Sequence, residues 1–172
     1  MRPLILRKSN ESKLEISVQV LTSMLAYVQD LPRKKEAGGV LLGRHILDSS
    51  DIVVDEITVP MRRDRRGRHY FYRDQRNHQQ AIGRVWRESG GTCPYVGEWH
   101  THPEAYPAPS ELDLRDWQRK LREDVFTGDT LQFIIVGVDT LRVWEGRRKN
   151  GEFRLIGEYF YRMRYVQDED PT

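Results

Sequence analysis

From Val18 onward the apolar residues fall at Leu21, Met24, Leu25, Val28 and Leu31, the spacing of one helix face. Ser17 stands before the run as a cap and Pro32 stops it, so the pattern predicts one amphipathic helix. The periodicity then changes. Gly38 to Leu42 and Ile52 to Val59 are rich in β-branched and aliphatic residues, are separated by Asp48, Ser49, Ser50 and Asp51, and end at Pro60. They predict a pair of strands. Beyond a basic loop, Ala81, Ile82, Val85 and Trp86 return to helical spacing until Gly90 and Gly91 end it. Tyr95 to His102 reads as a strand, after which Pro103, Pro107 and Pro109 force an irregular segment that can join neither a ladder nor a helix interior. Ser110 opens a third helical stretch through Leu112, Trp117 and Leu121. Leu131 to Val138 has the composition of a buried strand, and Asp139 with Thr140 turns the chain. Leu141 to Trp144 and Phe153 to Phe160 read as antiparallel strands joined across Asn150 and Gly151. The sum is an α/β chain, a central mixed sheet with helices on its faces.

A chain of 172 residues suits one domain with a real core. The expected division is an N-terminal segment 1–13, a domain over 14–166 and a frayed tail 167–172. The longest apolar run, Phe133 to Val138, is far short of the roughly 20 residues needed to cross a bilayer. Lys8 to Lys13 interrupts any leader-like apolar stretch, so export is not expected. A single cysteine, Cys93, excludes an internal disulfide and thiolate-rich zinc folds, and suits a reducing cytoplasm. The 28 Lys and Arg nearly balance 26 Asp and Glu, which argues against a general nucleic-acid binder. That balance hides a local run, Arg62, Arg63, Arg65, Arg66 and Arg68. It reads either as a solvated loop or as a clamp for an acidic partner surface, with Arg65 and Arg66 as the candidate substrate contacts.

The segment His100 to Asp113 carries candidate chemistry. It reads H-x-H, seven residues, then S-x-x-D. On a strand, alternate side chains share a face, so His100 and His102 can share one ion. The proline-rich loop brings the chain back, and Asp113 in the first turn of the next helix can add a carboxylate. Three protein ligands leave a fourth position for water, the open arrangement of a catalytic zinc site. Ser110 and Asp113 also fit a helix capping box. Hydrolysis needs a general base, for which Glu36 and Glu98 are the candidates. Glu98 shares the histidine face and is expected to hydrogen-bond a ligand imidazole. Glu36 precedes Gly38 and Gly39, glycines that let backbone approach closely.

Glu36 before G-G-V-L-L-G, together with H-T-H-P, seven residues after His102 and then S-E-L-D, resembles the JAMM motif of the JAB/MPN family. The resemblance runs from about Leu14 to Tyr161 and fills every motif position. It implies a cytidine-deaminase-like mixed sheet and one zinc ion held by His100, His102 and Asp113. It also implies Glu36 as the base that holds the catalytic water and Ser110 as the donor to the tetrahedral intermediate. The string G-E-W-H-T-H-P-E from Gly97 to Glu104 looks like a bacterial branch that includes the deconjugases of anti-phage CBASS operons. Such enzymes release a CD-NTase or ubiquitin-like C-terminus from its target, so a protein substrate with an extended tail is implied, made by an E1/E2-type enzyme. The alternatives are a RadC-like DNA-associated protein, which would give the arginines phosphates to bind, and a general JAB metallopeptidase. A zinc deaminase expects H-x-E with P-C-x-x-C, which is absent. A thiol protease would rest on Cys93 alone.

Overall fold

The computed structural model describes residues 1–162. The tail expected over 167–172 lies outside the described residues, as do 163–166. Ten strands and three helices follow in the order β1 Leu4–Arg7, β2 Lys13–Ile16, α1 Val18–Leu25, β3 Gly38–His45, β4 Ile52–Ile57, β5 Arg65–Arg66, β6 Phe71–Tyr72, α2 Gln75–Glu88, β7 Tyr95–Thr101, α3 Glu111–Glu123, β8 Thr130–Val136, β9 Thr140–Arg147 and β10 Phe153–Phe160. Eight of the strands form one sheet in the order β1-β2-β4-β3-β7-β8-β9-β10, and β5 with β6 makes a separate hairpin. The β2–β4 and β7–β8 pairs are parallel and the others antiparallel, so the sheet is mixed as expected.

Alternation along the central strands makes three layers. Leu41, Val96, Trp99, Ile134 and Val136 point to the side that α1 covers with Val20, Leu21 and Met24. Phe133 and Ile135 point the other way, under Trp117 and Leu121 of α3. Val40 and Leu42 also point that way, under Val85 of α2 and beside Cys93. Each such buried side chain contributes about 1.5–3 kcal/mol relative to exposure. The sheet curls until Leu6 of β1 touches Gly157 of β10, so part of the expected N-terminal segment is an edge strand of the same sheet. No helix among the described residues is long and apolar enough to cross a membrane.

Two expectations about helix ends change for physical reasons. The first helix stops at Leu25, short of Leu31. Gln29, which is 1% exposed, instead donates its amide to the carbonyls of Lys34 and Arg68, and Lys34 Nζ caps the Val28 carbonyl at 2.9 Å. The second helix starts at Gln75, capped by Asp74, six residues before the first apolar position that announces it. Its polar first turns bury His78 rather than an aliphatic residue.

That histidine is the clasp of the 58–78 region. Thr58 Oγ1 lies 2.7 Å from His78 Nδ1, and since it already accepts from Val40 N at 2.9 Å it donates to the ring. His78 Nε2 faces the Asp64 carboxylate at 3.1 and 3.2 Å. Asp64 also accepts from Met61 N at 2.6 Å and Asp74 N at 2.8 Å, closing the base of the hairpin loop. Burial pushes the His78 imidazole below its ordinary pKa, against the opposing pull of Asp64. The arginine run is therefore not a free loop. It is a hairpin anchored by a fully buried His78–Asp64 pair. Replacing Asp64 by Ala strands two main-chain donors and a buried imidazole, and should cost roughly 3 kcal/mol or more in denaturant unfolding. A loss below about 1 kcal/mol would show that the clasp does not anchor the loop.

Candidate active site

The site begins with one strand pairing. Antiparallel β3 and β7 set Gly38 opposite His100 and Gly39 opposite Trp99. The approach is close: a Cβ on Gly38 would lie 2.6 Å from the Trp99 carbonyl oxygen and 2.7 Å from the Phe71 ring, and one on Gly39 would strike the Thr58 carbonyl. Trp99 and Thr101 turn into the core, which leaves His100 and His102 on the opposite face. Thr101 holds the chain just before β3, with its amide donating to Ala37 O at 2.8 Å and its hydroxyl accepting from Ala37 N at 2.9 Å. Glu36 is thereby brought to the histidines from a distant part of the sequence.

Helix α3 supplies the next group. Trp117 stacks on Phe133 with ring centroids 4.5 Å apart and meets the edge of His100 at 6.5 Å. Leu121 lies one turn further along the same buried face, and Asp113 one turn before it. Ser110 caps the helix: its hydroxyl accepts from Asp113 N at 3.1 Å and its own amide donates to Asp113 Oδ2 at 2.7 Å, a complete capping box, while the hydroxyl proton also goes to Asp113 Oδ2 at 2.6 Å.

The His100 and His102 Nε2 atoms stand 3.0 Å apart. Asp113 Oδ1 is 3.3 Å from the first and Oδ2 is 3.4 Å from the second. Ligands on a tetrahedral zinc with bonds of about 2.0–2.1 Å are separated by about 3.3 Å, so the donor set and its spacing fit such an ion. Glu36, His100 and His102 also offer one donor atom each within 4.8 Å of one another, which puts the Glu36 carboxylate at the same centre. Glu104 Oε2 lies 3.1 Å from His102 Nδ1, the outer side of that ring.

The charges are tuned in opposite directions. Burial raises the Glu36 carboxyl to about 7, with His100 and His102 opposing that shift and the charges of Asp113 and Glu104 adding to it. Burial works the same way on Asp113, but there hydrogen bonds from both histidines, the His100 charge and Ser110 win, and its carboxyl sits far below the usual range. Burial also opposes a charge on His102, yet Asp113, Glu36 and Glu104 together raise its pKa. One carboxylate is thus held ionised while its neighbour is poised to exchange a proton near neutrality.

These groups line a cleft of about 540 Å³. Tyr70, Phe71 and Tyr72 of the hairpin form one wall, and Leu112, Asp116 and Arg119 of α3 form the other. Glu98 takes the expected face but finds other partners. Its carboxylate lies 2.7 Å from Arg73 Nη2 and 3.3 Å from Lys120 Nζ, tying both walls to β7. Neither cation carries a sequence signal, since each is joined to Glu98 only by the fold. Of the two candidate substrate arginines, Arg65 is exposed and lies over the Tyr72 ring at 5.7 Å. Arg66 instead spends its donors on the main-chain carbonyls of Glu36 and Lys35. Arg68 likewise donates to Leu31 O at 2.8 Å. Cys93 is buried, and its thiol is pushed up to about 11 by that burial, which removes it as a nucleophile.

Several known proteins are similar to this chain. The "CD-NTase/cGAS isopeptidase" of Vibrio cholerae serotype O1 is 32% identical over 146 residues, covering 85% of this chain and 88% of its own. The protein of the same name from Pseudomonas aeruginosa is 37% identical over 110 residues, covering 64% and 68%. That from Escherichia coli is 28% identical over 156 residues, covering 91% and 95%. Among solved structures, protein DSY2949 from Desulfitobacterium hafniense superposes with a TM-score of 0.56 at 23% identity, over 81% of this chain and 87% of that one, which supports the fold. The family described as prokaryotic homologs of the JAB domain matches residues 18–148, from the first turn of α1 to just past β9. With that match spanning both histidines, Asp113 and Glu36, the chain belongs to the prokaryotic JAB family and is a hydrolase of the metallopeptidase class.

Proposed function

We propose that this metallopeptidase is a zinc-dependent isopeptidase that cuts the amide joining a CD-NTase or ubiquitin-like C-terminus to its target, as a cytoplasmic deconjugase in anti-phage signalling. The observation that carries the proposal is the convergence of His100, His102, Asp113 and Glu36 in one open cleft. The relatives named CD-NTase/cGAS isopeptidase support the substrate class. His100, His102 and Asp113 would hold one zinc ion per chain. Bound there, zinc supplies Lewis acidity that polarises the scissile carbonyl and acidifies water.

The remaining work falls to the chain. Glu36 takes a proton from the attacking water and returns it to the leaving amine. A base with a pKa near the working pH does both, since it is neither too weak to accept nor too strong to release. Ser110 is the proposed donor to the developing oxyanion. Its proton rests on Asp113 Oδ2, so it turns toward the substrate as charge builds there. The modifier's tail would lie extended between the hairpin wall and α3, bonded by main chain, which fixes orientation without selecting sequence. Selection would then come from the folded body of the modifier, with the exposed Arg65 meeting acidic surface.

The test is a fusion of a CD-NTase C-terminus to an unrelated protein, beside a control fusion with an unrelated C-terminus. Mass spectrometry should place the cut at the junction of the first and find the second intact. Equal cutting of both would leave a general metallopeptidase. In the same assay Asp113→Ala should lose zinc and turnover together, whereas Glu36→Gln should keep near-stoichiometric zinc and lose turnover. A fully active Glu36→Gln would end the base assignment.

Ser110→Ala should lower kcat by about a hundredfold with zinc retained, the usual effect of removing one oxyanion donor. If only Tm falls, Ser110 is a helix cap and nothing more.

Glu36 also leaves a mark on the metal-free protein. Its carboxyl keeps a proton in the folded state between about pH 4.5 and pH 7, where the unfolded chain has released it. Stability from this group is therefore fully present below about pH 4.5 and is lost as pH rises through 7. Relative to Glu36→Gln, metal-free wild type should lose roughly 3 kcal/mol across that window in urea unfolding. A difference that stays flat with pH would show that burial does not hold the proton on Glu36.

A further inference from the structure

We infer that Arg66 is a positioning residue for Glu36, and that the arginine-rich hairpin acts on the reaction by fixing the base. The inference rests on the reading of Glu36 as the base. Arg66 Nε donates to the Glu36 carbonyl oxygen at 2.7 Å, and its Nη2 reaches the Lys35 carbonyl at 3.3 Å. The next residue completes the hold, because Glu36 N donates to the Gly67 carbonyl at 2.7 Å. Both main-chain polar groups of Glu36 are thus taken by two consecutive hairpin residues.

The residue after Glu36 is held from the other side. Ala37 N and O are both bonded to Thr101, which stands between the two histidines on β7. Thr101 Oγ1 passes its own proton to Gln29 Oε1 at 2.9 Å, and Gln29 Nε2 returns to the hairpin at Arg68 O, also 2.9 Å. The result is a closed circuit from β7 through Ala37, Glu36, the hairpin and Gln29 back to β7. Its links are short-range in space and long-range in sequence, so local propensity cannot replace them.

Within this circuit Arg66 is the side chain that grips the Glu36 backbone directly. A guanidinium suits that position because two parallel donors in a fixed plane fit two successive carbonyls, and its charge strengthens both bonds. Tyr27 supports it, with its ring centroid 5.9 Å from the guanidinium carbon. Gly67 lets the Tyr70 ring lie close beside it, since a Cβ there would come within 2.1 Å of that ring. Segment 26–37 has no helix or strand of its own. Without Arg66, the hold from the hairpin side on the Glu36 backbone reduces to the Gly67 carbonyl, and its distance from His100 and His102 is less firmly set.

Two measurements on Arg66→Ala decide the matter. The first is amide hydrogen exchange in the metal-free protein, which requires no turnover: exchange at Glu36 should quicken at least about tenfold, as expected when a local hold is lost. The second is steady-state kinetics on the cleavable fusion: kcat should fall about tenfold to a hundredfold with KM near wild type and zinc content unchanged, the cost of a base displaced by up to about an ångström. Arg66→Lys, which keeps the charge but not the planar fork, should fall between the two proteins in both measurements and carries the test should Arg66→Ala fail to fold. Unaltered exchange at Glu36 overturns the inference whatever happens to turnover. A KM that rises with salt while kcat and exchange stay put also overturns it, and returns Arg66 to the substrate. Activity in Glu36→Gln would instead defeat the base assignment, a separate result.

Discussion

The close antiparallel pairing of β3 with β7 is the constraint on which the site depends. Gly38 lets the two backbones meet at a distance that any side chain would forbid, Gly39 makes the same room for the Thr58 carbonyl, and the register sets Gly38 against His100. A slip of one residue would turn both histidines into the core and Trp99 and Thr101 out to the cleft. The register is secured from behind, where Trp99 Nε1 donates to the Thr58 carbonyl at 2.9 Å and Thr58 is itself held by His78. The apolar and polar parts of the fold therefore agree on one alignment.

Around that pairing, buried polar groups do what apolar packing cannot. The Thr58–His78–Asp64 chain fixes a loop with little core of its own, and Glu98 with Arg73 and Lys120 joins the two walls of the cleft to its floor. Networks of this kind are costly if incomplete, so they specify one arrangement of the walls. The same logic explains the two carboxylates. Asp113 sits among donors and stays ionised, while Glu36 is desolvated and shifts toward neutrality. One cleft thus holds one carboxyl kept ionised and another shifted toward neutrality, the division of labour that the proposed roles of ligand and base require.

Much of this was legible in the chain. Alternation from Tyr95 placed His100 and His102 on one face, and the proline-rich loop followed by Ser110 placed Asp113 in the first turn of a helix; the structure shows both arrangements. The capping box was legible as well. The ends of α1 and α2 were less so. Periodicity carried the first helix on to Leu31 because Val28 and Leu31 keep the apolar spacing, although the helix ends at Leu25 and Gln29 beyond it bonds the Arg68 carbonyl. The start of α2 was hidden because its buried residue is a histidine in a polar turn.

Local pattern determined the elements, the mixed sheet, and the strand and helix that carry the two histidines and Asp113, because periods of 2 and 3.6 and helix caps are written in neighbouring residues. Tertiary structure alone decided who meets whom. Glu98 faces the cleft as its position on β7 requires, yet its partners are Arg73 and Lys120. Arg65 and Arg66 are adjacent and chemically alike, but the hairpin leaves one exposed and turns the other onto the Glu36 carbonyl. The proton affinity of Glu36 has the same origin, since it follows from burial by residues far away in the chain. Such pairings depend on distances that a sequence does not contain, and desolvation depends on every neighbour at once.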